Sequence, residues 1–110
     1  MNYPNDANGE TLQRMDAQGD DLTVPRDIDF TVVFANENSA RTFSKHILAL
    51  GYAVSVDLTE TEKDFPWDVV IVKHMTPSHQ EIGDFEGMLQ SVAETLGGYN
   101  DGWGCFPQPS

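Results

Sequence analysis

Between Asp27 and Phe106 the hydrophobic residues switch repeatedly between two periods, and the order of those switches leaves few folds open. Ile28, Phe30, Val32 and Phe34 recur at every second position, the repeat of a strand with one buried face. Ala40, Phe43, Ile47 and Leu50 then recur at helical spacing and share one stripe. Asn36 is suited to cap that helix and Gly51 to end it. Tyr52, Val54, Val56 and Leu58 return to the strand repeat, and a polar, hairpin-type connection over Thr59–Pro66 leads to the next strand. Trp67–Val72 is apolar on both sides, with Trp67, Val69 and Ile71 on one and Val70 and Val72 on the other. Such a strand belongs in the middle of a sheet. A longer helix follows, with Ile82, Phe85, Leu89, Val92 and Leu96 as its buried stripe. It opens at Thr76-Pro77-Ser78, either with Pro77 as first helical residue or with Ser78 and Glu81 as a capping box, and ends at Gly97-Gly98. Tyr99–Phe106 reads as the last strand.

The order strand–helix–strand–strand–helix–strand predicts an α+β, ferredoxin-like domain. Its sheet is antiparallel and four-stranded, in spatial order 4-1-3-2, with both helices on one face. Upstream, Leu12, Met15 and Gly19 predict an extra helix over 5–18, capped by Asn5 or Asp6. Two strong apolar residues are too few to hold it alone, so it must dock. It is expected over part of the open sheet face, where Val33, Val70 and Val72 also leave room for a second subunit, or at an end of the sheet. One domain is expected over 1–110, with 1–26 as helix and connection, 27–106 as the core and 107–110 as a tail.

Charge narrows the function. Eighteen Asp and Glu against six Lys and Arg give −12 at neutral pH. Nucleic-acid binders neutralise phosphates with basic residues, so direct RNA or DNA binding is not expected, and neither is attraction to anionic lipid. The sheet face opposite the helices would carry Asp29, Thr31 and Val33 on the first strand and Asp68, Val70 and Val72 on the third, without the stacking rings of an RNA-recognition motif. No apolar run approaches the roughly 20 residues of a membrane-spanning helix. Met1–Asp6 has neither the basic start nor the apolar stretch of a signal peptide, and Cys105 is the single cysteine. A cytoplasmic, bacterial-type compartment is the expectation.

Catalytic signatures are missing. No Walker loop, GxGxxG, HExxH or CxxC occurs. His74 and His79, with Glu81 or Asp84, lack a specified third ligand and read as exposed side chains, so no metal and no cofactor are expected. His46 sits on the flank of the first main helix, away from its buried stripe. Cys105 lies beside Gly104 and Phe106 in a strand, without the helix terminus or base that activates a thiol. Gly83 and Gly87 sit off the buried stripe of the last helix, either as tolerated exposed glycines or as a site of close approach.

The most distinctive segment is Gly97–Gly104, with four glycines and two aromatic rings. Without a bulge, Tyr99, Asp101 and Trp103 lie on one side and Asn100, Gly102 and Gly104 on the other. Trp103 is expected to plug the core, and the exposed remainder to offer a partner-binding edge. From Thr76 onward Glu81, Asp84, Glu86, Glu94 and Asp101 meet no Lys or Arg. The candidate partner-binding residues are therefore Tyr99, Asn100, Asp101, Gly102, Trp103 and Gly104, with Glu81, Asp84 and Glu94 beside them, facing a basic protein.

Several of these segments resemble the regulator of ribonuclease E activity B family, the ribonuclease E inhibitor proteins. The resemblance lies in Asn100-Asp101-Gly102-Trp103-Gly104, Leu50-Gly51-Tyr52, the Asp6–Gly9 helix start, Gly19-Asp20-Asp21-Leu22 and Ile28-Asp29-Phe30, over residues 4–106. It implies a ferredoxin-like fold and a non-catalytic protein that binds the scaffold region of ribonuclease E and so modulates RNA decay. It supplies no catalytic residues. Such inhibitors can carry a long acidic C-terminal extension, whereas Pro107-Gln108-Pro109-Ser110 follows the last strand here, so weaker binding or another partner is expected if that extension contributes. The expected function is an acidic interaction module that inhibits ribonuclease E through a basic segment. The alternatives are a small-ligand-binding regulatory domain and an immunity-like inhibitor of another basic nuclease.

Overall fold

The structure is a computed structural model that describes residues 4–59 and 64–105. Its elements are α1 (Ala7–Ala17), β1 (Arg26–Phe34), α2 (Glu37–Ala49), β2 (Ala53–Leu58), β3 (Trp67–Met75), α3 (His79–Glu94) and β4 (Tyr99–Gly104). The strands form one antiparallel sheet in the order β2-β3-β1-β4, the expected ferredoxin-like arrangement with β1 and β3 central. No helix among the described residues is long and apolar enough to cross a membrane.

Each helix starts where a short polar side chain accepts a backbone N–H that the helix itself leaves unpaired. Asp6 accepts from Gly9 at 2.8 Å, Asn36 from Ser39 at 2.9 Å and Ser78 from Glu81 at 3.2 Å. Asp6, not Asn5, caps α1. Pro77 precedes the cap of α3 and is not its first helical residue, because Ser78 holds the extended cap conformation.

The core fills the layer between the sheet and the helices. Phe30, Val32 and Phe34 of β1 and Val69 and Ile71 of β3 meet Phe43 and Ile47 of α2 and Ile82, Phe85 and Leu89 of α3, all buried. Phe30 and Phe85 pack edge to face at 4.7 Å between ring centres. Two residues read as buried from their spacing are not. Leu50 is the C-cap of α2 and is 53% exposed, because the chain turns away at Gly51. Leu58 ends the edge strand β2 and is 61% exposed.

The N-terminal helix does not cover the open sheet face, the first of the two places expected for it. Leu12 is buried in the main core and α1 packs against α3, so all three helices share one side and the opposite sheet face stays uncovered by α1. On the helix side Leu12 joins the apolar core, whereas the other face carries Asp27, Asp29, Asp57 and Asp68 in register. The connection after α1 is locked by Arg26, whose guanidinium donates to both Asp20 oxygens at 2.8 Å and to the Asp21 carbonyl at 2.7 Å, with both side chains of the pair almost fully buried.

Thr59 N–H donates to the Pro66 carbonyl at 2.7 Å, closing the β2–β3 connection. The rest of that turn over 60–63 and the tail from Phe106 lie outside the described residues.

Candidate protein-interaction surfaces

The glycine-rich last strand shows its organisation in its register. Thr31 pairs with Gly102 and Val32 with Asn100, so Asp101 is an extra residue, a β-bulge. Gly102 makes this possible with φ +114°, a region that side chains strain to enter. The bulge resets the alternation. Trp103 opposite Phe30 and Asn100 opposite Val32 share the core face, while Gly102 opposite Thr31 and Tyr99 opposite Val33 share the other. The unbulged grouping of Trp103 with Tyr99 and Asp101 does not hold.

Trp103 and Asn100 are engaged within the molecule. Trp103 Nε1 donates to Asn8 Oδ1 at 2.8 Å, and Asn8 Nδ2 donates to Glu86 Oε1 at 2.8 Å. The other Glu86 oxygen accepts from Asn100 Nδ2 at 2.7 Å, and Asn100 N–H donates to Gln90 Oε1 at 2.7 Å. One carboxylate thus ties α1 and β4 to α3. Gly98 completes the joint, since a Cβ there would collide with the Phe34 ring and the Val33 carbonyl.

The acids named on α3 are exposed but scattered. Glu81 and Asp84 line a cleft of about 610 Å³ with Tyr52, Lys73, His74, Phe85 and Met88. Lys73 Nζ lies 4.7 Å from the centre of the Phe85 ring, a cation–π contact inside that cleft. Glu94 stands at the far end of the helix and accepts from Gln90 at 3.1 Å. The two histidines go separate ways. His74 Nδ1 meets Asp27 Oδ1 at 2.9 Å and His79 Nε2 meets Asp6 Oδ2 at 2.8 Å. Among the described residues no group of His, Cys, Asp or Glu is placed to hold a metal. Burial pushes the Cys105 thiol up, which outweighs the nearby Arg26 and leaves it a poor nucleophile.

The uncovered sheet face gathers acids that lie far apart in sequence. In register, Asp57, Asp68, Val33 and Tyr99 form one row across the four strands. Ser55, Val70, Thr31 and Gly102 form the next, and Ala53, Val72, Asp29 and Gly104 the third. His74 and Asp27 form a fourth. The middle is low and weakly polar, with carboxylates at both ends. Burial, then Asp101, then Asp57 push the Asp68 carboxyl above its ordinary range, which places those three acids within electrostatic reach of one another. Phe65 packs edge to face on Tyr99 at 4.9 Å and closes the first row. Strand parity in the sequence already separates Asp27, Asp29, Asp57 and Asp68 from the core, but their meeting across the sheet, and the addition of Asp101, depend on pairing and on the bulge.

Of the nine candidate partner-binding residues, Tyr99, Asp101, Gly102 and Gly104 border the open face. Asn100 and Trp103 point inward, and Glu81, Asp84 and Glu94 lie on α3. In comparison with known proteins, the family model RraB, Regulator of ribonuclease activity B, matches residues 5–105. No curated protein matches the sequence.

Proposed function

The chain belongs to the RraB family, regulator of ribonuclease activity B, a non-catalytic regulator of ribonuclease activity, and from that premise we propose that it inhibits ribonuclease E by binding a basic segment of that enzyme. The observation that carries the reading is the one-sided charge of the last third of the fold. Glu81, Asp84, Glu86, Glu94 and Asp101 lie on α3 and β4 with no Lys or Arg on either element. An enzyme that handles RNA must present basic segments to phosphates, and those segments are what an acidic surface attracts. Glu81, Asp84 and Glu94 steer the approach from α3, and the exposed edge at Tyr99, Asp101, Gly102 and Gly104 lies on the contact side. Asn100 and Trp103 serve indirectly by fixing that edge. The setting is the cytoplasm.

Pull-down of the ribonuclease E scaffold region tests the reading. Binding is expected at low salt and should weaken steeply as ionic strength rises, because exposed charges are screened over about 8–10 Å in physiological buffer. Absence of binding at low salt refutes the partner. Binding indifferent to salt refutes the electrostatic mechanism.

A further inference from the structure

We infer that the uncovered sheet face is the docking surface, and that its occupant is a protein segment with an apolar middle and arginine or lysine at both ends. The inference rests on the reading of a basic partner above and adds where that partner sits and what spacing it needs.

Among the described residues α1, the one spare helix, packs on the other side and leaves this face open beyond Val33, which is buried in the row that Phe65 and Tyr99 close. Its floor is low, since Val70, Val72, Thr31 and Gly102 occupy the middle rows. The acids are placed at the two ends of that floor. Asp57 and Asp68, with Asp101 at the bulge, stand at one end, and Asp29 and Asp27 at the other. Along β3 the step from the Asp68 row to the Asp29 row is four residues, and to the Asp27 row six. At about 3.3 Å per residue the two acidic ends lie about 13–20 Å apart. An extended segment running along β1 and β3 spans that distance with basic groups four to six residues apart, its apolar middle on the valines.

Charge selects this occupant over the other candidates for a flat sheet face. A second copy of the chain would bring the same five aspartates against these five across a two-fold axis, and like charges oppose that contact. Nucleic acid is repelled for the same reason. Among the described residues the face carries no Lys or Arg to offset the aspartates: Arg14 lies on α1, Arg41 and Lys45 on α2, Arg26 is buried, and Lys73 faces Phe85 on the helix side. A basic segment relieves the repulsion among Asp57, Asp68 and Asp101 as it binds.

The test uses the full chain and two ligands. One is a peptide with an arginine pair at each end of an apolar stretch, the pairs five residues apart, about 16 Å when extended. The other is the ribonuclease E scaffold region. Amide shifts caused by the peptide should concentrate on Thr31, Val70, Val72, Gly102 and the aspartates around them. Asp29→Asn with Asp68→Asn should weaken peptide binding about tenfold or more, equivalent to about 1.4 kcal/mol. Glu10→Gln with Glu37→Gln, the same change in charge on α1 and α2, should stay within about twofold. Shifts centred on α3, no peptide binding, or equal losses in the two double variants overturn the inference. If the peptide maps to this face while the scaffold region fails to bind, the docking surface stands and the ribonuclease E reading falls.

Discussion

The indole N–H of Trp103 is satisfied by Asn8, 95 positions away in sequence, at 2.8 Å. This bond makes the aspartate–glycine–tryptophan–glycine segment a structural joint. Through Asn8 it reaches Glu86, and through Glu86 it returns to Asn100 on the same strand. The N-terminal helix is held on the helix side by this polar chain as well as by Leu12.

Trp103→Phe keeps an aromatic ring and removes the donor. It should lower stability by about 1–2 kcal/mol, the usual cost of leaving a part-buried acceptor unpaired. Asn8→Ala should cost a similar amount. The double variant should lose less than the two single losses together, with a coupling of about 0.5 kcal/mol or more. Urea unfolding of the four proteins checks this, and strictly additive losses would contradict the joint.

Much of this architecture is legible in the periods alone. The strand repeat of Ile28–Phe34 and the two-sided apolarity of Trp67–Val72 place β1 and β3 at the centre before any pairing is known. What the periods do not carry is register. A single extra residue at Asp101 moves Trp103 from the side of Tyr99 to the side of Asn100, and no composition rule marks which residue of Asn100-Asp101-Gly102 is the extra one. The placement of α1 was hidden for a different reason, since Leu12 and Met15 state that a helix must dock and not where. The acidic face is legible only in fragments, because Asp57, Asp68 and Asp101 meet through three strand pairings.

Asp20 and Arg26 are the buried pair to break. Each carboxylate oxygen of Asp20 accepts from Arg26 at 2.8 Å, and the guanidinium also holds the Asp21 carbonyl. Removing one partner strands a buried charge, so Asp20→Ala or Arg26→Ala should cost about 3–5 kcal/mol. Replacing both by apolar residues of similar volume, as in Asp20→Leu with Arg26→Met, should recover most of that loss. Thermal or urea midpoints decide it. A double variant as unstable as the singles would show that the backbone carbonyls held by Arg26 matter more than the pair.

Gly83 and Gly87 sit inside α3, and a Cβ at either would meet nothing within 4 Å. Close approach of another element is therefore not what these glycines serve among the described residues. Gly83→Ala and Gly87→Ala should each stabilise by about 0.5–1 kcal/mol, by restricting the unfolded chain and favouring the helix. A loss of stability in either would point to a contact with a bound partner or with residues outside the described set.

Acid titration should show two opposed phases. Asp68 sits above its ordinary 3.8, from burial first and then from Asp101 and Asp57, so the folded protein holds that proton more tightly than the unfolded chain. As pH falls from neutral towards 3.8 the folded state takes up the proton first, and stability rises. Asp6 lies below 3.8, chiefly because its carboxylate accepts the Gly9 N–H and then the His79 bond, and Asp21 lies below it through Thr23. Their contribution is complete above 3.8 and is lost as pH falls through their depressed folded values. The urea midpoint should therefore rise on mild acidification and fall only below that point. Asp68→Asn isolates the first phase. It should be more stable than the natural chain at neutral pH, by no more than about 1 kcal/mol because solvent screens a partly buried group, and the difference should vanish in acid. A difference that is constant with pH would mean that Asp68 does not titrate as its position between Asp57 and Asp101 requires.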